Sequence, residues 1–288
     1  MFKLSGCFTA LVTPFKDGGI DYDALRKMVR FQTESGVSGV VPCGSTGEAS
    51  SLSHEEYVNV IKTVIDEASG KTQVLAGAGG NNTAAAAELV REIAVLGPDA
   101  ILSVVPCYNK PTQAGLKAHF KAVAAAAGGI PVVLYNIPGR TGVNMLPATA
   151  AELSETDNII GIKEASGSLD QVSEIIEKTR PPFSVISGDD SLTVPMMAVG
   201  ASGVISVISN IYPREVSEMC SLAAEGRIKQ AAEIHHRLFP VIKAMFSETN
   251  PIPVKYAASV KGLCRPEPRL PLMPFSEEKR EWLKSLLF

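Results

Sequence analysis

Val132-Val133-Leu134-Tyr135-Asn136 is a short apolar run that closes on two polar residues. Pro147–Leu153 follows with helical character, and then comes a second run, Ile159-Ile160-Gly161-Ile162-Lys163. Apolar side chains at consecutive positions need cover on both faces of a strand, which is the habit of parallel sheets. Working outward, the same alternation recurs along most of the chain. Further runs lie at Gly6–Val12, Gly39–Val41, Gln73–Gly77, Ala100–Val104, Ser184–Ser187 and Gly203–Val207. Helical periodicity fills the intervals at Tyr22–Ser35, His54–Ala68, Thr83–Leu96, Gln113–Ala126, Leu169–Lys178, Leu192–Val199 and Pro213–Glu225. Apolar faces are expected at Leu25, Met28, Val29 and Gln32, and at Val58, Ile61, Ile65 and Ala68. Ser53 before His54-Glu55-Glu56 has the form of a capping box, Asn82-Thr83 opens the next helix, and Gly36, Gly70 and Gly97 stand where helices should stop.

Eight strand–helix units fit a (β/α)8 TIM barrel of the α/β class. A doubly wound open sheet would want a Gly-x-Gly-x-x-Gly loop after its first strand, and this chain has Thr13-Pro14-Phe15 there. After Glu225 the strands cease. Ile228–Phe246, Pro253–Lys261 and Ser276–Leu287 read as helices, so the expected organisation is a barrel over 1–225 and a helical extension over 226–288 packed on it.

With 45% hydrophobic residues among 288, the chain can bury a sizeable core. A net charge of -3 without a basic region argues against nucleic acid and against an anionic membrane as partners. No stretch approaches the ~20 apolar residues of a membrane span, and the N-terminus does not read as a signal peptide. Cys7, Cys43, Cys107, Cys220 and Cys264 are scattered and unpatterned, as expected of a cytoplasmic protein. His54, His119, His235 and His236 fall on expected helices, and Asp189-Asp190 has no supporting ligand cluster, so no metal and no cofactor is expected.

Active sites of such barrels collect at the C-terminal ends of the strands. Those ends carry Gly44-Ser45-Thr46-Gly47-Glu48, Pro106-Cys107-Tyr108-Asn109, Tyr135-Asn136 with Arg140 beyond, Lys163-Glu164, and Gly188-Asp189-Asp190. A lysine aimed into a barrel interior is desolvated, which favours the neutral amine that carbonyl addition requires. By position alone, however, a strand-end lysine more often reaches out into water. Tyr135 on the next strand suits proton transfer, though a rim tyrosine also packs well for its own sake. The Ser45-Thr46 loop offers hydroxyls and backbone N–H groups to a carboxylate, and Arg140 offers a bidentate clamp for a second one.

Taken together and in order, these motifs resemble the dihydrodipicolinate synthase branch of the pyruvate-dependent class I aldolases. The resemblance runs from Val12-Thr13-Pro14-Phe15 through every strand-end motif above to Asn250-Pro251-Ile252-Pro253-Val254-Lys255. It implies that pyruvate, held at Ser45 and Thr46, forms an imine with Lys163. The derived enamine then attacks L-aspartate 4-semialdehyde, whose carboxylate Arg140 holds, to give 4-hydroxy-tetrahydrodipicolinate on the route to diaminopimelate and lysine. It further implies a proton relay of Tyr135, Ser45 and Tyr108, with Tyr108 supplied by a neighbouring subunit. The resemblance also implies backbone groups contributed by Gly188 and Ile205 and a homotetramer built from dimers. Aldolases acting on a ketodeoxy sugar acid or hydroxy-oxoglutarate share the scaffold, and Arg140 is the residue that separates the branches.

Two positions depart from the branch. Ser45 stands where threonine is usual, which keeps the hydroxyl but frees its rotamer. The regulatory lysine site of related enzymes is matched by His54 and Asn81, while Ala85 and Cys107 replace its glutamate and tyrosine. Weak or absent inhibition by lysine is the expectation.

Overall fold

The computed structural model describes residues 2–287; Met1 and Phe288 lie outside the described residues. Eight strands carry the near-continuous burial expected of them: β1 (Gly6–Ala10), β2 (Gly39–Val41), β3 (Gln73–Gly77), β4 (Ala100–Val104), β5 (Val132–Asn136), β6 (Ile159–Glu164), β7 (Ser184–Ser187) and β8 (Gly203–Ser206). All neighbours are parallel, and β1 pairs with both β2 and β8, so the sheet closes into a barrel. Between the strands lie α1 (Tyr22–Glu34), α2 (His54–Ala68), α3 (Thr83–Val95), α4 (Gln113–Ala126), α5 (Pro147–Leu153), α6 (Leu169–Lys178) and α7 (Thr193–Ala198), with α8 (Pro213–Ala224) after β8.

The core has two parts because strand side chains alternate in direction. One cluster fills the barrel interior with Phe8, Val41, Leu75, Leu102, Val133, Tyr135, Ile186 and Ile205. The larger one lies between strands and helices and takes the other residues of the same strands, such as Leu134 and Ile162. The interior is tight. A Cβ on Gly39 would fall 2.3 Å from the Phe8 ring, so only glycine lets that ring fill the barrel floor.

The helix signals of the sequence correspond to real caps. Ser53 accepts from the Glu56 N–H while Glu56 accepts from the Ser53 N–H, and Asn82 caps α3. Gly36, Gly70 and Gly97 all take positive φ just past their helices. Gln32 on α1 is fully buried and satisfied, accepting from Thr9 Oγ1 at 2.6 Å and donating to the Ser209 carbonyl. The face of α2 differs from expectation. Val60, Ile61, Val64 and Ala68 are buried, while Val58 and Ile65 are half-buried at its edge. Apolar residues on adjacent rows leave the stripe's centre undetermined by spacing, and packing against the barrel sets it.

Small elements beyond those expected include a hairpin of Phe15–Lys16 with Gly19–Ile20, a single helical turn at Pro138–Thr141, and 3-10 turns at Ala49–Ser51, Asp190–Leu192 and Ile208–Asn210. The helical end comprises α9 (Ile228–Ala244), α10 (Ile252–Val260) and α11 (Arg280–Leu287). Expected as one helix, Ser276–Leu287 is instead a 3-10 turn at Glu277–Lys279 leading into α11. Helix α9 packs along α8 and α7. Among the described residues no helix is long and apolar enough to cross a membrane.

One buried and one partly exposed ion pair fasten this end to the barrel. Lys255 on α10 meets Glu48 Oε1 at 2.5 Å, with both side chains essentially inaccessible to water. Its Nζ also donates to the Glu267 carbonyl and lies 3.9 Å above the Phe15 ring. Arg269 grips both oxygens of Glu56 at 2.6 Å. That contact holds the Glu56 carboxyl down at about 2, from an ordinary 4.5. The folded state therefore binds this proton less readily than the unfolded chain. The stabilisation is complete above pH 4.5 and is lost as the pH falls toward 2. Glu56→Gln is expected to lower unfolding stability at neutral pH by about 1–2 kcal/mol, discounted for partial exposure. Denaturant titrations at neutral and acid pH test this: the gap between variant and parent should close across that window.

Candidate active site

Parallel register between β5 and β6 places Lys163 directly beside Tyr135, and Glu164 beside Asn136. Lys163 and Tyr135 point into the barrel, whereas Asn136 and Glu164 point out toward the helices. The Lys163 Nζ lies 4.2 Å from the centre of the Tyr135 ring, and the side chain is only 6% exposed. Glu164 is adjacent in sequence but is occupied on the opposite face. It accepts from Asn136 Nδ2, from the Ser166 N–H at 2.7 Å and from Gln171 Nε2 at 3.1 Å. No carboxylate lies within ion-pair distance of Lys163 among the described residues.

At the C-terminal mouth of the barrel Lys163 and Tyr135 line a cavity of about 50 Å3 together with Ser45, Thr46, Arg140 and Gly188. A wider cleft of about 460 Å3 shares Ser45, Tyr135, Arg140 and Asn250 with it and extends over Gly79 and Cys107. Gly188 follows β7 and makes room for the lysine. A Cβ there would sit 3.0 Å from Lys163 Cε and 2.7 Å from Ala165 Cβ.

The Ser45-Thr46 loop is a tight turn in which the Gly47 N–H donates to the Gly44 carbonyl and the Glu48 N–H to that of Ser45. Thr13 Oγ1 donates to the Gly47 carbonyl at 2.7 Å, which ties the loop to the end of β1. Thr46 is buried, and its hydroxyl accepts from Asn250 Nδ2 at 3.0 Å. Arg140 sits exposed at the rim on the Pro138–Thr141 turn, with Nη2 donating to the Asn250 carbonyl at 3.0 Å. One asparagine from the helical end therefore touches both residues picked out as carboxylate ligands. Its Oδ1 is buried without a partner among the described residues.

Sequence reasoning missed the parts of Asn250, Phe246 and Val207, all of which line the inner cavity. Asn250 carried a signal, since Asn250-Pro251 opens a motif that no core periodicity explains. Phe246 carried none. Ile205 is buried in the barrel interior opposite Phe8 and does not itself line the cavity. Asp190 accepts from the Val207 and Ile208 N–H groups at 2.9 and 3.0 Å and so shapes the end of β8. Burial raises its carboxyl above the ordinary range. Tyr108 is not in the cavity of this chain: it is 90% exposed, on a positive-φ backbone. His54 is exposed and faces Glu92 at 2.9 Å, and Asn81, Ala85 and Cys107 are exposed as well.

Residues 3–288 match the Dihydrodipicolinate synthetase family. The chain belongs to that family. It is 52% identical to the 4-hydroxy-tetrahydrodipicolinate synthase of Pelobacter propionicus, covering 100% of this chain and 98% of that one. It is 51% identical to the protein of the same name from Methanothrix thermoacetophila, covering 100% and 96%. The crystal structure of dihydrodipicolinate synthase from Aquifex aeolicus superposes with a TM-score of 0.97 at 46% identity, covering 99% of this chain and 97% of that one.

Gly188→Ala is expected to displace the Lys163 side chain and to cost about 1–3 kcal/mol of stability through overpacking. A thermal melt and a crystal structure of the variant check this. An unmoved Nζ with an unchanged melt contradicts it.

Proposed function

We propose that this enzyme condenses pyruvate with L-aspartate 4-semialdehyde through an imine on Lys163, giving 4-hydroxy-tetrahydrodipicolinate. The observation that carries the reading is a buried amine with no carboxylate partner, stacked over a tyrosine in a cavity that also holds Thr46 and Arg140. An amine free of any carboxylate partner and open to the cavity is available to add to a carbonyl carbon.

The proposed sequence begins with pyruvate's carboxylate on the hydroxyls and N–H groups of Ser45 and Thr46. Lys163 adds to the ketone and water leaves, forming the imine. Loss of a methyl proton gives the enamine, whose carbon attacks the aldehyde. The amino group of the second substrate then attacks the imine carbon and expels Lys163, closing the ring. Tyr135 and Ser45 stand where these protons must pass. Arg140 holds the second carboxylate, pre-oriented by Asn250. Gly188 and the backbone near Ile205 border the imine.

Tyr108 completes the relay in this proposal by entering the site of a neighbouring subunit. Its 90% exposure on a loop tied down by Asn109, which donates to the Asn81 carbonyl at 2.8 Å, supports that role. The assembly is a homotetramer of dimers. The barrel of 1–225 and the extension of 226–288 act as one unit in a reducing cytoplasm, in keeping with five free thiols. The lysine site is degraded: with Ala85 and Cys107 at two of its positions, a charge-assisted bond of ~1.5–3 kcal/mol to a bound α-ammonium is lost.

Borohydride reduction with pyruvate, followed by peptide mass analysis, is expected to place the adduct on Lys163 alone and to fail in Lys163→Ala. An adduct elsewhere, or none, sinks the proposal. Arg140→Ala should leave that trapping intact while raising KM for the semialdehyde by about 10–100-fold, the value of a charge-assisted pair. L-lysine should not inhibit in the micromolar range, and a steady-state inhibition series measures this directly.

A further inference from the structure

We infer that Glu48 is a positioning residue for the pyruvate carboxylate, held in place by Lys255 and Arg269 of the helical end. The inference rests on the reading that the Ser45-Thr46 loop takes that carboxylate. Glu48 is the first residue past the loop and has left-handed backbone, φ 53, which a non-glycine residue adopts only when its surroundings impose it. Its side chain is 1% exposed and both of its oxygens are engaged from the far end of the sequence. Oε1 meets Lys255 Nζ, and Oε2 accepts the Arg269 N–H at 2.9 Å. On the loop's other side Thr13 holds the carbonyl of Gly47. The turn is therefore pinned at its exit from two directions, and the peptide groups of Ser45 and Thr46 inherit that placement.

Packing alone does not account for this arrangement. A buried ion pair is weak as a source of stability, because desolvation of both charges offsets their attraction. What it supplies is a fixed direction: Lys255 has its donors committed to Glu48 and the Glu267 carbonyl and its charge against Phe15, so Glu48 has one place to go. The consequence is specific. Removing the pair as a unit should spare the fold yet loosen the carboxylate loop, leaving the Lys163 amine itself intact.

The test is borohydride trapping on the full-length enzyme as a function of pyruvate concentration, in the parent, in Glu48→Gln/Lys255→Met, and in Val90→Ala. The last is a buried change in α3. The double variant leaves no unpaired buried charge. It is expected to need about 10–100-fold more pyruvate for half-maximal labelling of Lys163, while labelling at saturation proceeds at close to the parent rate. Val90→Ala should lower the melting temperature without moving the half-saturation point. An unchanged half-saturation point in the double variant overturns the inference, as does an equal shift in Val90→Ala. Should the double variant not fold, Glu48→Asp, which keeps the charge opposite Lys255 but withdraws the carboxylate by one methylene, must still shift half-saturation in the same direction. Absence of pyruvate labelling in the parent is a different result: it defeats the proposed function, not the assignment of Glu48.

Discussion

Hydrogen bonding between β5 and β6 sets the register on which the remainder of the site depends. In a parallel pair, residues at the same level point the same way, so Tyr135 and Lys163 enter the barrel together while Asn136 and Glu164 leave it together. A slip of one residue would exchange the pairs and place a carboxylate inside the barrel. The outward pair opposes such a slip. Glu164 accepts from Asn136, Gln171 and a backbone N–H on the helix side, and none of these partners exists inside. The polar network behind the strand thus fixes which residue faces the cavity.

Much of this was legible in the sequence, and the reason differs by element. The eight strands were readable because a fully buried strand is a short unbroken apolar run between turn residues. Several C-terminal ends were readable because runs such as those at Tyr135-Asn136, Lys163-Glu164 and Gly188-Asp189-Asp190 close on polar residues that a core would not choose. Caps at Ser53 and Asn82 followed from local hydrogen bonding alone. The centre of the α2 face was not legible, since Val58 and Ile65 are as apolar as Val60 and Val64. Asn250 and Phe246 were not legible as cavity residues either. They reach the cavity from some two hundred positions beyond Thr46, a distance that local patterning does not encode. Tyr108 illustrates a third case: its residue type and motif were plain, but nothing within one chain supplies its surroundings.

The molecule buries two lysines at the barrel mouth and treats them in opposite ways. Lys255 is fully enclosed, in contact with Glu48 and stacked on Phe15. Burial lowers its affinity for a proton while Glu48 opposes that effect, and the two charges hold each other in place. Lys163 is nearly as buried and also stacked on an aromatic ring, yet the neighbouring carboxylate is drawn away to the helix layer. Exchanging these environments would ruin both proposed roles. A counter-ion at Lys163 would occupy the amine that the proposal needs free, whereas loss of Glu48 would strand Lys255 as an unpaired buried charge, at about 3–5 kcal/mol.

That contrast also explains why the helical end is tied so firmly to the barrel. The amine proposed as nucleophile has no partner of its own to define the geometry of what approaches it. Orientation has to come from the groups around it: the Ser45-Thr46 turn, Arg140 at the rim, and Gly188 below. Each of the first two is held by a residue beyond position 245. Asn250 bonds Thr46 and Arg140, and Lys255 bonds the carboxylate that ends the turn. In the proposed mechanism the barrel places the nucleophile, and the extension holds the groups that would orient the substrates. A (β/α)8 barrel with this lysine but without those tethers would keep an amine of the same chemistry and lose the alignment that makes proximity productive.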